Sequence, residues 1–231
     1  MLVKEGIPTR VDEVYAGLRA DILAGRLTPG TRLKFAELRG RYSTNVGATR
    51  EALARLAAEG LVTSAPHQGY RVVSLSHADL ADLAEARAGM ETQVLRLSVR
   101  DGDMAWEAAL VAAFHVLERT RLIGPDDPDR PSDAWNAAHA AFHDALLRGC
   151  RNRRLLTMAR ALRQEGELYR QWSVSLGGRA RERATADHRE LLEPALARDA
   201  DLAAERLGAH IRDTARLLIS CATDAPAEEE R

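Results

Sequence analysis

The chain has 231 residues, 45% hydrophobic and 29% charged, which is the composition of a soluble globular protein. No apolar run approaches the roughly 18 residues of a membrane span, and the N-terminal stretch MLVKEGIPTR lacks the apolar core of a signal peptide. We therefore expect a cytoplasmic protein without a membrane partner. Cys150 and Cys221 are too few and too far apart for a disulfide framework or a thiolate zinc site.

The net charge of −1 argues against a general nucleic-acid binder, but it hides a difference between the two ends of the chain. Residues 1–74 carry 11 Lys or Arg against 7 Asp or Glu, whereas the remainder carries 22 against 27. A basic beginning followed by an acidic remainder is typical of a small DNA-binding head on a larger body.

The N-terminal part predicts three helices and a β-hairpin. Helical apolar spacing covers residues 11–24 and stops at GRLTPG, FAELRGRY forms a second short helix, and STN caps a third in VGATREALARLAAEGLV. Two short strands follow, Leu61–Ser64 and Tyr70–Ser74, joined by a turn that contains Pro and Gly. This order is that of a winged helix-turn-helix, which we place at residues 8–75.

The rest of the chain predicts helices only. Apolar periodicity marks helices at about 78–100, 103–122, 132–149, 152–176, 180–198 and 200–222. We therefore expect a mainly α protein, in which the winged helix-turn-helix precedes an all-α helical-bundle effector domain at residues 78–222.

The third helix has the features of a DNA-recognition helix. Asn45, Gly47 and Arg50 lie opposite its apolar face, and Arg50 can grip a phosphate or a guanine edge. The wing tip, His67 to Gly69, can reach the minor groove. The predicted DNA-binding residues are Arg32, Lys34, Asn45, Gly47, Thr49, Arg50, His67 and Gly69. The alternative is a surface helix whose Arg-Glu pair is merely solvated.

Three stretches closely resemble the N-terminal domain of GntR-family bacterial transcription regulators. They are ILAGRLTPGTRL, YSTNVGATREALARLAAEGLV and HQGYRV, and together they span about sixty residues. The family often has Ser-Arg-Thr-Pro at the start of the recognition helix, where this chain has Asn45 to Ala48. The usual base-reading Arg is thus replaced by Val46, so the resemblance does not carry over an operator sequence. Arg50 matches the Arg of the family's REAL motif.

Four histidines predict a metal site. His139 and His143, in HAAFH, lie one helical turn apart on the same face. His188 and His210 are each about ten residues from a bend predicted near residues 198–200, or about 15 Å along their helices, so they lie at the same height. Three or four converging imidazoles suit Zn²⁺, Ni²⁺ or another transition ion. The alternative is a set of unrelated surface or hydrogen-bonded histidines.

The motifs around these histidines resemble the FCD ligand-binding domain of the FadR subfamily, over about residues 78–222. The resemblance implies that a divalent metal is bound by His143, His188 and His210, plus an Asp or Asn four residues before the first of them. His139 stands at that fourth position. Four neutral imidazoles leave a divalent ion with a charge of +2, one unit more than a set that includes Asp, and therefore with a stronger attraction for an anion.

We expect the effector to be a small carboxylate, such as a sugar acid, a hydroxy acid or another central metabolite, that completes the coordination of the metal. Arg87, in EARAGME, matches the family's E-x-R-x-x-x-E motif and can pair with the carboxylate bidentately. Its alternative is a surface ion pair with Glu91. Trp172 and Tyr169 are candidates for the pocket wall, and their alternative is the helical core.

Together these features predict a homodimeric transcription regulator, in this family most often a repressor, that binds a near-palindromic double-stranded operator and is not an enzyme. The expected cofactor is a divalent transition metal, Zn²⁺ first, with Ni²⁺ and Mn²⁺ as alternatives. One rival makes the ion itself the signal. Another is a metal-dependent hydrolase, although the candidate helices contain no HExxH motif and no nucleophile motif.

Overall fold

The chain folds into two compact units, Met1–Ser76 and His77–Arg231, in the computed structural model. The structure describes residues 9–23, 25–65, 69–74, 76–124, 131–172 and 178–223. No helix in these ranges is both long and apolar enough to cross a membrane. Each unit is built around its own buried apolar residues.

The first unit contains the three predicted helices and the predicted hairpin. Its elements are α1 (Arg10–Leu23), β1 (Arg32–Leu33), α2 (Phe35–Arg41), α3 (Val46–Ala58), β2 (Val62–Ala65) and β3 (Gly69–Val72). The strands form an antiparallel sheet in the order β1-β3-β2. The sequence analysis missed β1, because two residues are too few to show an alternating pattern and the strand is defined only by its pairing with β3.

The core of this unit lies between α1 and α3. Leu18 and Ile22 of α1 and Leu53 and Leu56 of α3 are fully buried. At the start of α3 the Asn45 side chain accepts a hydrogen bond from the backbone nitrogen of Ala48, at 2.9 Å. This cap satisfies one of the free N–H groups at the helix start, so α3 begins at a defined residue.

A buried carboxylate joins α1 to the end of α2. Asp21 accepts hydrogen bonds from Arg26 at 2.6 Å and from the hydroxyl of Tyr42 at 2.5 Å, and it pairs with Arg41 at 2.6 Å. Burial alone would raise the pKa of Asp21, but the hydrogen bonds from Tyr42 and Arg26 outweigh it and hold that pKa below its usual value. Asp21 is therefore ionised and stabilises the arrangement of α1 and α2.

In its described residues, the second unit contains the six predicted helices. They are α4 (His77–Asp101), α5 (Met104–Arg119), α6 (Asp133–Leu147), α7 (Arg153–Trp172), α8 (Gly178–Leu196) and α9 (Ala200–Thr223). Side chains of Asp103 and Ser132 cap α5 and α6 by accepting hydrogen bonds from backbone nitrogens of the first turn. The predicted fold class, a winged helix-turn-helix followed by an all-helical domain, is confirmed.

Two ion pairs show that α4 and α9 pack antiparallel. Arg212 Nε lies 2.8 Å from Glu85 Oε1, and Arg96 Nε lies 2.9 Å from Asp201 Oδ1. Residue numbers therefore increase along one helix in the direction in which they decrease along the other. The register shared by both pairs places Arg87 of α4 opposite His210 of α9. This register sets the heights of the groups described below.

Candidate functional site

The outer face of α3 carries an available cation. Asn45, Gly47 and Arg50 are exposed, as the sequence predicts. Arg55, on the same helix, pairs with Asp12 at 2.9 Å and with Glu51 at 2.8 Å. In the part of the chain that the structure describes, the side chain of Arg50 makes no hydrogen bond or ion pair. Its guanidinium can therefore contact DNA without first breaking an internal interaction.

Other predicted DNA contacts lie near the sheet. Arg32 and Gly69 are exposed. Gly69 has a φ of +78°, a backbone conformation that residues with a side chain rarely adopt. Lys34 is exposed and pairs with Glu37 at 2.8 Å, an interaction weak enough in solvent to be exchanged for a phosphate. His67 lies outside the described residues.

The prediction that Thr49 contacts DNA is corrected by its position. Thr49 has no exposed surface, and its hydroxyl donates a hydrogen bond to the backbone oxygen of Asn45, at 2.8 Å. It lies four residues before Leu53 and therefore shares the inner face of α3. We leave it out of the contact set.

The four predicted histidines converge inside the second unit. His139 and His143 come from α6, His188 from α8 and His210 from α9, and one ring nitrogen from each lies within 4.8 Å of the others. The Nε2 atoms of His143 and His188 are 3.2 Å apart. Two nitrogens bound at about 2.0–2.1 Å to one tetrahedral ion stand about 3.3 Å apart, so this pair already has the spacing of two ligands.

Burial favours the neutral form of three of these histidines. It is the largest cause that lowers the pKa of His139, His143 and His210, and neighbouring histidine and arginine side chains lower these pKa values further. For His210, burial followed by His188 and Arg87 lowers the pKa to about 3. Metal binding requires an unprotonated imidazole, so the cluster is in the correct protonation state at neutral pH.

His139 contains a buried nitrogen that needs a partner. Its Nδ1 atom has no hydrogen bond within the described ranges, and the nearest carboxylate oxygen, on Glu167, is 3.9 Å away, too far for one. The ring stacks on Trp135 with 4.9 Å between centroids. Buried polar atoms rarely remain unsatisfied. The geometry, the neutral rings and this nitrogen all fit a transition-metal ion.

A cavity of about 510 Å³ adjoins the cluster. All four histidines line it, and so do eight charged side chains. Four of these are exposed, namely Asp187, Glu190, Arg206 and Asp213, and four are not, namely Arg87, Arg163, Glu167 and Arg170. Of these, only Arg87 was predicted. Arg163, Glu167 and Arg170 are spaced four and three residues apart on α7, and this helical spacing of charges on one face is the signal that could have identified them.

Arg87 forms the ion pair with Glu91 that was its alternative interpretation, but inside the protein and not on its surface. Its Nε atom lies 2.7 Å from Glu91 Oε1, and the two side chains are 16% and 1% exposed. The Nη atoms make no further hydrogen bond to the residues that the structure describes. A Cβ atom on Gly166 would lie 2.4 Å from Arg87 Nη1, so the glycine makes room for the guanidinium. Arg87 can thus pair with Glu91 and still face the cavity.

A second ion pair stands beside His139. Arg170 donates to Glu167 and, at 2.9 Å, to Asn136, and its guanidinium lies 5.3 Å from the centre of the Trp135 ring. Burial would raise the pKa of Glu167, but Arg170 outweighs it and keeps that pKa below its usual value. The charged side chains around the cavity that are not exposed are therefore three arginines against Glu167 and Glu91, an excess of positive charge that favours an anion.

The two aromatic candidates on α7 have different outcomes. Trp172 ends the helix, and its side chain lies outside the described part of the structure. Tyr169 is buried, donates a hydrogen bond to Asp79 and does not line the cavity, so it belongs to the core, which was its alternative interpretation.

A winged helix-turn-helix followed by an all-helical domain with an internal cavity is the arrangement of a DNA-binding transcription regulator. Residues 10–72 match the family "Bacterial regulatory proteins, gntR family", and residues 82–213 match the FCD domain. The chain therefore belongs to the GntR family of bacterial transcription regulators and carries an FCD domain.

Known proteins agree with this assignment. The chain is 36% identical to the HTH-type transcriptional repressor GlaR of Escherichia coli K12, covering 85% of this chain and 90% of GlaR. It is 34% identical to the HTH-type transcriptional regulator BphR of Paraburkholderia xenovorans LB400, covering 88% and 83%. The predicted family is confirmed, and so is the prediction of a regulator and not an enzyme.

Solved structures share the fold. A GntR transcriptional regulator from Rhodococcus sp. RHA1 is 20% identical, with a TM-score of 0.72 over 91% of this chain and 98% of that one. E. coli McbR/YncC is 18% identical, with a TM-score of 0.71 over 93% and 99%. At these identities the likeness concerns the architecture alone.

Proposed function

We propose that the protein is a repressor whose operator binding is controlled by a small carboxylate bound beside a metal ion in the FCD domain. One observation carries this proposal: the four-histidine cluster and Arg87 line the same cavity. A metal at the cluster would supply a Lewis-acidic positive charge. Arg87 would hold the carboxylate by its free Nη groups and orient it toward that charge.

The proposed metal ligands are His139, His143, His188 and His210. Neutral imidazole nitrogens suit Zn²⁺ and Ni²⁺, whereas Mn²⁺ prefers oxygen ligands. We therefore place Zn²⁺ first, Ni²⁺ next and Mn²⁺ last. Phe142, Trp135 and the rest of the apolar surroundings keep the cluster dry, which strengthens its interaction with an ion.

The size and charge of the cavity favour an organic anion over the metal alone as the signal. A volume of about 510 Å³ is far more than one ion occupies, and it falls in the range of small-molecule sites. Arg87 pairs with Glu91 through Nε and keeps its Nη groups free beside the cluster, and these groups suit a ligand of opposite charge.

We propose that DNA is contacted by the exposed face of α3 and by the neighbouring sheet. Arg50 is the main contact, and Asn45, Gly47, Arg32, Lys34 and Gly69 surround it. The name of the relative GlaR, a transcriptional repressor, supports repression. The effector would act by binding one arrangement of the protein more tightly than another and so shifting the population away from the operator-binding arrangement.

We further propose a homodimer, which a near-palindromic operator requires. On α5, Met104, Ala108 and Val111 are exposed along one face, and Met104 is 79% exposed. If two copies packed this face antiparallel, Asp103 at the start of one helix would lie near Arg119 at the end of the other. Light scattering on wild type and on Val111→Asp tests this: we expect a dimer and a monomer, and two dimers would exclude this face.

The regulator proposal is tested by gel retardation of the protein's own upstream DNA. We expect the Zn²⁺-loaded protein to retard a fragment and one carboxylate to release it, with the carboxylate recovered unchanged. Recovery of the unchanged carboxylate separates a regulator from a hydrolase. Failure to retard any upstream fragment, with or without metal and carboxylates, would refute the proposal.

A further inference from the structure

The cavity in the FCD domain has a polar end at the height of the four-histidine cluster. Arg87 lies opposite His210 in the antiparallel pair of α4 and α9, and both line the cavity. Arg163 and Glu167 line it from α7. A carboxylate group finds its partners at this height.

The other end of the cavity is apolar. Five buried residues line it: Leu80, Leu83 and Ala84 of α4, and Ala215 and Leu218 of α9. Leu80 is seven residues before Arg87, and Leu218 is eight residues after His210. At 1.5 Å per residue both leucines lie about 10–12 Å from the polar end, in the same direction along the bundle.

Polar side chains that line the cavity between His210 and the apolar end are already occupied by other protein groups. Asp213 pairs with Arg216, and the Thr214 hydroxyl donates to the backbone oxygen of His210 at 2.8 Å. A ligand with many hydroxyl groups would need a partner for each of them, because buried unpaired hydroxyls are costly. The apolar end offers few such partners.

We propose that the effector is an amphipathic monocarboxylate, of the medium-chain alkyl or arylalkyl class. Its carboxylate lies at the metal cluster and Arg87, and its apolar body extends between α4 and α9 toward Leu80 and Leu218. This inference rests on the proposed function and narrows its effector from any small carboxylate to one whose apolar part contributes most of the binding. It disfavours the sugar acids that the sequence alone allows.

The test is calorimetry on the full-length Zn²⁺-loaded protein with butyrate, hexanoate and octanoate. Each buried methylene strengthens binding about threefold to fourfold, so we expect about a tenfold gain in affinity for each two carbons. Gluconate and succinate serve as polar comparators, and octan-1-ol serves as a probe with the apolar chain but without the carboxylate. We expect all three to bind more weakly than octanoate.

A variant pair checks the location. Leu83→Asn alters the apolar end, whereas Leu202→Asn changes a leucine of α9 that is 38% exposed and does not line the cavity. We expect Leu83→Asn to weaken octanoate about tenfold and butyrate much less, and Leu202→Asn to change neither. The chain-length series on wild type decides the question even if Leu83→Asn fails to fold.

Two outcomes would overturn the inference in different ways. If gluconate or succinate bound more tightly than octanoate and Arg87→Ala removed that binding, the effector would be a polar carboxylate and the proposed function would stand. If no carboxylate bound the metal-loaded protein, both the inference and the proposed function would fail. Equal affinity along the chain-length series would overturn the inference alone.

Discussion

The two units of this protein present their functional residues in opposite ways. The DNA-binding unit displays Arg50 on an exposed helix face, whereas the FCD unit encloses four histidines and several ion-paired charges around a cavity. An exposed contact depends mainly on which side of one helix a residue lies. An enclosed site depends on how five helices meet. We therefore expect a substitution in the first unit to change mainly the contact made by that residue. A substitution in the second unit should also change the positions of neighbouring residues around the cavity.

The largest expected effect is the loss of metal from His143→Ala. His143 is buried in the centre of the cluster, and its replacement would remove one of the four proposed ligands. We expect about one Zn²⁺ per wild-type chain and at least a hundredfold weaker binding in the variant, measured by elemental analysis and chelator competition. His115→Ala, which removes an exposed histidine outside the cluster, is the control. Equal metal content in both variants would show that the histidines are core residues.

The next largest expected effect is a loss of operator affinity without a change in metal content. Arg50→Ala removes the guanidinium that has no internal partner, so we expect operator affinity to fall about tenfold to hundredfold. Gel retardation measures this loss. Arg55→Ala, on the same helix, removes an arginine that is already paired with Asp12 and Glu51, and it should cost much less. If both variants bound DNA equally well, α3 would not be the recognition helix.

A smaller effect tests positioning inside the cavity. Gly166→Ala brings a methyl group against Arg87, so we expect carboxylate affinity to fall about tenfold while metal content stays the same. Gly89→Ala is the matched control, because a Cβ atom there meets nothing within 4 Å. Calorimetry with octanoate compares the two variants. If Gly166→Ala behaved like Gly89→Ala, Arg87 would not hold the carboxylate.

The smallest effect concerns the stability of the DNA-binding unit. Asp21→Asn weakens three interactions of a buried carboxylate, and we expect a loss of about 2 kcal/mol in the free energy of unfolding at neutral pH. Because the folded-state pKa of Asp21 is lowered, its contribution is present above the unfolded pKa of about 3.9 and is lost as pH falls through the folded value. Urea unfolding should therefore show that the difference from wild type shrinks below about pH 4. A difference that stayed constant with pH would show that the charge is not involved.

Sequence reasoning succeeded where a residue's environment follows from its own helix. The i,i+4 spacing paired His139 with His143, and the hairpin between α8 and α9 placed His188 and His210 at one height. It failed where partners came from distant elements, because β1 exists only by pairing with β3, and the charges on α7 matter only because that helix packs against α4. Thr49 was misplaced although its spacing from Leu53 already put it on the inner face.

The sequence by itself determined the fold class, the family, the exposed position of Arg50 on α3 and the four histidines as one cluster. Motif spacing and helical periodicity are local properties that survive without knowledge of the packing. Only the tertiary structure decided that the pair of Arg87 and Glu91 is buried and faces the cavity, and that the cavity has an apolar end. Both depend on the antiparallel register of α4 and α9 and on the space left by Gly166. The register arises from contacts between residues more than a hundred positions apart in the chain, and the space arises from the packing of α7 against α4.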